Sequence, residues 1–191
     1  MNSKLIIISA PSGAGKTTLC DTLLKEFQDT LVLSISYTTR KPRSNEINGV
    51  DYNFISKDAF ESKLKDGEFA EWAEVHGNYY GTSKHTINET LKRGKSVLLD
   101  IDVQGAKSLT DEFKGRCITI FIIPPDMETL EERLRTRGTD EESVIKKRIK
   151  NAERELERIN EFQHKIVNDR FDHAYGELKK ILVKELEIKT K

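Results

Sequence analysis

The first twenty residues contain the pattern that most limits what this chain can fold into. A run of apolar residues from Leu5 to Ile8 has the length of a strand, and a loop of small residues follows from Ala10 to Gly15. Lys16, Thr17 and Thr18 then open a segment with apolar residues at helical spacing. A strand, a glycine-containing loop and a helix in this order are typical of a phosphate-binding P-loop. The sequence therefore predicts a nucleoside triphosphate site; the alternative is a chance glycine-rich turn with a surface lysine.

One position of this loop departs from the general pattern. Lys16 is placed to reach the β- and γ-phosphates, and the Thr17 hydroxyl is a candidate ligand of Mg²⁺. Ala10 stands where the general pattern has its first glycine. Because alanine tolerates a positive φ poorly, either this position is not left-handed or the loop is a variant.

Composition and charge limit the class of function. The 191 residues suffice for one domain with modest insertions, and 32 basic and 32 acidic residues cancel. This balance is unlike that of a polybasic nucleic-acid-binding protein. Cys20 and Cys117 are expected to be buried thiols, not a disulfide framework. With neither a signal-peptide pattern nor an apolar run of membrane-spanning length, we expect a cytoplasmic protein with no nucleic-acid or membrane partner.

Strand-like runs and helical patterns alternate along most of the chain. Strands are expected at Leu5–Ile8, Leu31–Ile35, Ser96–Leu99, Cys117–Ile123 and Lys165–Val167, and helices at about 16–27, 103–113, 126–136, 141–162 and 171–187. This alternation predicts an α/β fold in which helices cover both faces of a parallel sheet. The nearly continuous apolar run Cys117–Ile123 fits a sheet that is buried on both sides.

The alternation breaks between residues 36 and 90. This stretch has short alternating runs, at Tyr52–Ile55 and Phe69–Val75, and a helical pattern near 57–66. It predicts an inserted lobe of mixed strands and a helix, which is a natural place for a second substrate. The expected parts are a core of residues 1–35 and 91–191, a lobe of residues 36–90, and a helical lid at about 126–150.

Outside the loop, arginines and acids offer further phosphate and metal contacts. Arg40 and Arg43, with Pro42 stiffening the turn, suit a forked grip on one phosphate, although a solvated surface turn explains them equally well. Asp100 ends an apolar strand in the manner of a Walker B acid, which can orient Mg²⁺ through water. Asp102 fits the N-cap of the next helix, and we assign Asp100 to the metal.

Three further segments carry weaker signals. Arg133, Arg137 and Arg148 flank Gly138 and could neutralise a transferring phosphoryl group, although arginines at helical spacing also suit a solvated face. Thr139 or Asp140 could cap the helix that follows. In the inserted stretch, Tyr80 and its neighbours could contact phosphate or form an ordinary hairpin, and a lone strand glutamate such as Glu71 is usually exposed.

Taken together, these segments resemble the guanylate kinase family. The matching segments are residues 10–17, 36–43, 49–54, 71–72, 77–81, 99–105 and 133–138, in the family's order over nearly the whole chain. The family's loop accepts a small residue at the position of Ala10. The resemblance implies direct in-line transfer of the γ-phosphoryl group of ATP to GMP or dGMP, with Mg²⁺ as cofactor and no covalent enzyme intermediate. A homodimer is a further possibility that it raises.

The resemblance also implies a role for each matching residue. ATP would lie on Ala10, Pro11, Ser12, Gly13, Ala14, Gly15, Lys16, Thr17 and Thr18, with Asn168 near the adenine. GMP would contact Arg40, Arg43, Tyr52 and Tyr80 through its phosphate and Ser36, Glu71 and Thr82 through its base, with Asp100 near both this nucleotide and the metal. Mg²⁺ would be held by Thr17 and, through water, by Asp100. The catalytic residues would be Lys16, Arg40, Arg133, Arg137 and Arg148.

The chemistry of guanine agrees with the role implied for Glu71. A carboxylate can accept hydrogen bonds from both N1–H and the 2-amino group, whereas adenine presents an unprotonated N1. Sites built on such buried hydrogen bonds discriminate by roughly 10⁴-fold or more. Two alternatives remain: a non-catalytic domain of the same fold that binds peptides, and a kinase for another phosphorylated metabolite. The intact Gly15–Thr17 segment argues against the first, and the trio Ser36, Glu71 and Thr82 against the second.

Overall fold

The computed structural model describes residues 3–75, 77–136 and 141–188. The strands are β1 (Leu5–Ser9), β2 (Leu31–Leu33), β3 (Tyr37–Thr38), β4 (Asn53–Phe54), β5 (Phe69–Val75), β6 (Asn78–Ser83), β7 (Ser96–Asp100), β8 (Cys117–Ile123) and β9 (His164–Val167). The α-helices are α1 (Lys16–Glu26), α2 (Lys57–Lys65), α3 (Lys84–Lys92), α4 (Val103–Glu112), α5 (Met127–Thr136), α6 (Glu142–Glu157) and α7 (Phe171–Glu185).

A five-stranded parallel sheet in the order β2-β7-β1-β8-β9 forms the centre of the molecule. All five residues of β1 are buried, because successive side chains point to opposite faces and both faces are covered. Ile6 and Ile8 pack in one cluster with residues of α1 and α7, while Leu5 and Ile7 pack in another with residues of α3 and α4. The predicted parallel sheet with helices on both faces is confirmed.

The inserted stretch forms a second, mixed sheet in the order β4-β3-β6-β5. Helix α2 packs on it through the buried Phe60, whose ring stacks on Phe69 at a centroid distance of 4.5 Å. A Cβ at Gly81 of β6 would lie 2.9 Å from the Phe69 ring, so the two aromatics occupy the space that a side chain would need. The mixed lobe expected from the sequence is therefore present.

Several boundaries differ from the sequence prediction. Strand β2 ends at Leu33 and not at Ile35, because the Ile35 carbonyl accepts from the Asn53 side chain at 3.1 Å and the chain turns toward the second sheet. Helix α6 ends at Glu157 and not at 162, and a 3₁₀ turn follows at Ile159–Glu161. The predicted turn at Gly138 and the caps at Thr139 or Asp140 lie outside the described residues.

Helix α3 was not predicted. Ser83 is its N-cap, and the Ser83 hydroxyl accepts from the Thr86 N–H at 3.3 Å. The helix buries only Ile87 and Leu91. Two apolar positions over nine residues give too weak a helical pattern to detect. The predicted burial of the Cys20 and Cys117 thiols is confirmed. Within the described ranges, every helix falls short of the length and apolar character that crossing a bilayer requires.

Candidate active site

The loop between β1 and α1 has the geometry of a phosphate-binding loop. Gly13 and Gly15 adopt left-handed conformations, with φ of 96° and 86°, and Gly15 is the N-cap of α1. Among the described residues, Glu187 is the single non-glycine residue with a positive φ. Ala10 is therefore not left-handed, and this answers the question that the missing first glycine raised.

Two other elements hold this loop in place. The Asn168 side-chain amide donates to the Ala14 carbonyl at 2.7 Å, and a Cβ at Gly15 would overlap the same amide nitrogen. A Cβ at Gly13 would lie 3.1 Å from Leu130 of α5. Asn168 thus supports the loop directly, and the adenine contact implied for it stays a prediction.

Lys16 forms an ion pair with Asp100 beside this loop. The pair is a consequence of the sheet, because Asp100 ends β7 opposite Ile8 of β1, immediately before the loop. Burial alone would lower the pKa of Lys16, but the Asp100 carboxylate outweighs it, and the pKa of Lys16 is raised. Lys16 is therefore charged at neutral pH and points at the carboxyl ends of the central strands.

A single cleft of about 480 Å³ joins the loop, the second sheet, the strand ends and helices α5 and α6. Most of the predicted site residues line it: Ala10, Pro11, Ser12, Gly13, Gly15, Lys16, Thr17, Thr18, Ser36, Tyr52, Glu71, Tyr80, Asp100, Arg133 and Arg148. Five predicted residues are not among its lining residues. Arg40, Thr82 and Asn168 contact lining residues, and Ala14 accepts from Asn168. Arg43 is one step further away, because its ion pair is with Glu46. Arg137 lies outside the described residues.

Arg40 and Arg43 are organised by one acid that the sequence reasoning did not single out. The Arg40 guanidinium makes two hydrogen bonds to Glu46, at 2.9 and 2.7 Å, and lies 5.4 Å from the centre of the Tyr52 ring. The Arg43 backbone N–H donates to the same carboxylate at 2.7 Å, and its side chain is 68% exposed. Glu46 thus keeps Arg40 beside Tyr52 and Tyr80 at the edge of the cleft and raises the pKa of Arg40.

Glu71 is the buried acid of the second sheet. It is only 7% exposed, and the Thr82 hydroxyl across the β5–β6 pair donates to its Oε1 at 2.5 Å. Burial, which the Thr82 hydrogen bond opposes and nearby Asp102 reinforces, raises the pKa of Glu71 to about 7. A buried carboxylate with one oxygen on a hydroxyl suits recognition of a base with paired N–H donors.

Asp102 and Asp100 have different contacts. Oδ1 of Asp102 accepts from the N–H groups of Gln104 and Gly105, at 3.0 and 2.8 Å, so Asp102 caps α4. Asp100 faces Lys16. The predicted N-cap is confirmed, and Asp100 is the acid that lies beside the phosphate-binding loop.

Helix α6 brings three polar side chains to the cleft, of which the sequence analysis named one. Arg148 donates to the Ser12 hydroxyl at 3.2 Å, and Asn151 and Glu155 line the same cleft. Burial, opposed by Lys16, raises the pKa of Glu155 to about 7. Positions 148, 151 and 155 share one helix face, so their spacing was the signal that could have found the missed pair. From α5, Arg133 donates to the Asn168 carbonyl at 3.3 Å.

A sequence model of the guanylate kinase family matches residues 2–185. The chain belongs to the guanylate kinase family. Relatives include the guanylate kinases of Geobacter metallireducens, 50% identical over 95% of this chain and 88% of that protein, and Myxococcus xanthus, 47% identical over 95% and 86%. The crystal structure of guanylate kinase from Anaplasma phagocytophilum matches with a TM-score of 0.78 and 31% identity, covering 98% of this chain and 88% of that one.

Family membership also decides the class of activity. Guanylate kinases are enzymes that phosphorylate GMP with ATP, and this chain is an ATP:GMP phosphotransferase by the same assignment. The fold that the resemblance implied, a P-loop sheet with an added mixed lobe, is confirmed by the structural match. The alternative of a non-catalytic domain is set aside.

Proposed function

We propose that this chain transfers the γ-phosphoryl group of ATP directly to a phosphate oxygen of GMP or dGMP, giving ADP and GDP or dGDP. One observation supports this most strongly: the P-loop Lys16, the buried Glu71 and the α6 residue Arg148 line a single cleft of about 480 Å³. A triphosphate on the loop and a purine monophosphate on the second sheet would meet inside it.

The ATP side of the proposal rests on the loop. Its backbone N–H groups and the N-terminus of α1 favour the triphosphate, and Lys16 is held charged for the β- and γ-oxygens. When ATP binds, the phosphates compete with Asp100 for Lys16, so this ion pair keeps the lysine in place until the substrate arrives. We place the adenine near Asn168.

The GMP side rests on two groups of residues. Arg40, Arg43, Tyr52 and Tyr80 would bind the phosphate, the two tyrosine rings lying 5.9 Å apart beside Arg40. Ser36, Glu71 and Thr82 would read the base, since Thr82 occupies one Glu71 oxygen and leaves lone pairs of the carboxylate for the N1–H and 2-amino donors.

The residues beside the loop fit Mg²⁺. Thr17 supplies a hydroxyl and Asp100 a carboxylate, both oxygen donors of the kind Mg²⁺ prefers. The described residues contain no cluster of three acidic, His or Cys ligands, and magnesium in kinases needs few protein ligands because substrate phosphates complete its shell. When bound, the ion neutralises charge on the transferring phosphates. Thr17 would hold it directly and Asp100 through water.

The transfer step needs positioning and charge neutralisation more than acid–base chemistry. A GMP phosphate oxygen is already anionic, so it attacks the γ-phosphorus without a strong general base, and the bond to the ADP oxygen breaks as the new one forms. Lys16, Arg40, Arg133, Arg137 and Arg148 would neutralise the charge that spreads over the transferring group. Closure of lobe and lid would exclude water, the competing acceptor.

We also propose the division into a core of residues 1–35 and 91–191, a GMP lobe of residues 36–90 and a lid at about 126–150. Support comes from the separate second sheet and from a small apolar cluster of Leu130, Leu134, Ile145 and Ala152 that joins α5 to α6. The two free, buried cysteines suit the reducing cytoplasm. The homodimer stays a prediction, to be tested by light scattering.

A nucleotide panel tests the proposal. A coupled ADP-release assay with GMP, dGMP, AMP, CMP and UMP is expected to show turnover with GMP and dGMP, and AMP slower by roughly 10⁴-fold. Omitting Mg²⁺ is expected to abolish it. Equal turnover of AMP would contradict the base-reading role of Ser36, Glu71 and Thr82, and would favour a kinase for another phosphorylated metabolite.

A further inference from the structure

A tight contact lies beneath the Glu71 carboxylate, in the first turn of α4. Gly105 is buried there, and a Cβ built on it would lie 2.6 Å from Glu71 Oε2 and 3.1 Å from Glu71 Cδ. The first distance is shorter than real Cβ contacts. Any other residue at position 105 must therefore displace either the carboxylate or the helix.

Backbone conformation does not explain this glycine. Gly105 is absent from the described glycines with positive φ and has an ordinary helical conformation. In a helix, glycine is a poorer choice than alanine, because it loses more conformational freedom on folding. What the position requires is space.

We propose that Gly105 is a positioning residue for guanine selection: its missing side chain lets the Glu71 carboxylate lie against the first turn of α4 and so fixes the direction in which that carboxylate accepts from the base. This inference rests on the proposed role of Glu71 as the reader of guanine. Gly105 itself need not touch the nucleotide.

The carboxylate is confined from two sides. The Thr82 hydroxyl donates to Oε1 at 2.5 Å, while Oε2 lies over Gly105. Asp102 occupies the space beside this position, because its Oδ1 accepts from the Gly105 N–H at 2.8 Å and lies 3.4 Å from the Cβ position built on Gly105. A methyl group at 105 would thus push the Glu71 carboxylate toward the cleft, and two simultaneous hydrogen bonds to a purine edge tolerate little displacement.

Gly105→Ala tests this placement, and Gly176→Ala is the matched control. Gly176 also lies within a helix, α7, and a Cβ there would meet nothing within 4 Å. For Gly105→Ala we expect the KM for GMP to rise about tenfold or more, with the KM for ATP unchanged. The preference for GMP over IMP, which lacks the 2-amino group, is expected to shrink. The control variant is expected to match the wild type in all three values.

A double-variant cycle shows whether Gly105 acts through Glu71. The Glu71→Ala variant lacks Oε2 and Cδ, the two Glu71 atoms that a Cβ at position 105 would meet. Adding Gly105→Ala to it is therefore expected to leave the KM for GMP at the value of Glu71→Ala alone. An equal further rise in that background would overturn the inference, as would an unchanged KM for GMP in Gly105→Ala alone. If Gly105→Ala does not fold, the double variant is expected to fold; its failure to do so would also refute the proposal.

The same cycle distinguishes a failure of this inference from a failure of the proposed base-reading role of Glu71. If Glu71→Ala leaves the KM for GMP unchanged, Glu71 does not read the base and both proposals fail. If Glu71→Ala raises the KM for GMP and Gly105→Ala does not, the role of Glu71 stands and only the inference about Gly105 falls.

Discussion

At the scale of single residues, two cations of the site, Lys16 and Arg40, are each paired with an acid. Lys16 is charged because Asp100 faces it, and Arg40 is held at the cleft edge by two hydrogen bonds to Glu46. Glu71 is the exception, since burial with only a hydroxyl partner makes its charge costly. Under the proposed function, the two cations would bind phosphate and the buried acid would accept from N–H donors.

Lys16→Ala removes the cation that we place on the β- and γ-phosphates. We expect kcat to fall by about 10³-fold or more, because the variant loses the cation that pairs with Asp100 beside the loop, while the thermal melt by circular dichroism stays cooperative. Lys25→Ala, an exposed lysine in the last turn of the same helix, is the control and is expected to leave kcat unchanged. Near-normal turnover of Lys16→Ala would contradict the role given to this lysine.

Glu71→Gln tests the base reader. The amide oxygen can still accept from one donor, but its NH₂ group would face the other, so we expect the KM for GMP to rise by roughly 10²-fold. The KM for ATP is expected to stay the same, because we place ATP on the loop and not on the second sheet. Steady-state kinetics with each substrate varied in turn measures both, and an unchanged KM for GMP would remove Glu71 from the site.

The raised pKa of Glu71 also predicts a pH dependence. Below about pH 7 the free enzyme carries this carboxyl protonated, so it loses an acceptor for guanine, and the KM for GMP is expected to rise as pH falls through 7. The GMP phosphate, whose second pKa is about 6, contributes to the same pH profile. Glu71→Gln keeps the phosphate contribution and loses that of Glu71; identical profiles for the two proteins would refute the prediction.

Folding stability depends on pH in the opposite direction to GMP binding: it is expected to fall, not improve, as pH rises. The pKa of Glu71 is about 7 in the folded protein, against an ordinary glutamate value of 4.5 in the unfolded chain. Between these values the folded state holds more protons, so the free energy of unfolding falls as pH rises from 4.5 to 7. Urea titrations across this window are expected to show Glu71→Gln losing less stability than the wild type.

At the scale of helices and strands, the loop, the parallel strands and the long amphipathic helices were predictable from sequence, and α3 was not. The buried strands read as continuous apolar runs, and the P-loop pattern fixed how β1 joins α1. Helix α3 buries only two side chains, so its periodicity is weak. Strand β6 has the sequence Asn-Tyr-Tyr-Gly-Thr-Ser, which left a hairpin strand and a phosphate contact as alternative interpretations. Their positions come from tertiary packing, which local patterns do not contain.

The same reason explains which site residues were missed. Asn151 and Glu155 belong to the site because α6 meets the cleft across the fold, and Gly105 through a contact between α4 and β5. Glu46 pairs with Arg40 only six residues away, but in an irregular segment that has no periodic pattern. The spacing of Asn151 and Glu155 from Arg148 was visible, but nothing in the sequence states which helix face meets the cleft. Motifs with fixed local geometry were predictable; pairings across the fold were not.

Helix α6 gives a prediction at this scale. Arg148 reaches the Ser12 hydroxyl from α6. Under the proposed mechanism, it would meet the phosphates as the lid closes. For Arg148→Ala we expect kcat to fall by about 10²-fold or more, with the KM for GMP less affected, because the side chain serves the transfer step. Arg154→Ala, an exposed arginine on the same helix, is the control, and equal effects of both variants would assign α6 a merely structural role.

At the scale of the whole molecule, the account depends on two sheets facing one cleft. The central parallel sheet ends at the loop and Asp100, the mixed sheet contributes Glu71 and Tyr80, and α5 and α6 complete the walls. Under the proposed assignment, the donor and acceptor sites would lie on different parts of the chain, so that each substrate could draw its own part inward.

A crystal structure with GMP, Mg²⁺ and a non-hydrolysable ATP analogue measures this arrangement most directly. The account predicts the triphosphate on Gly13 to Thr17, guanine against Glu71, and the GMP phosphate beside Arg40 and Tyr52, facing the γ-phosphate in line. A mixed sheet that stays empty at saturating GMP, or a GMP phosphate directed away from the loop, would contradict it.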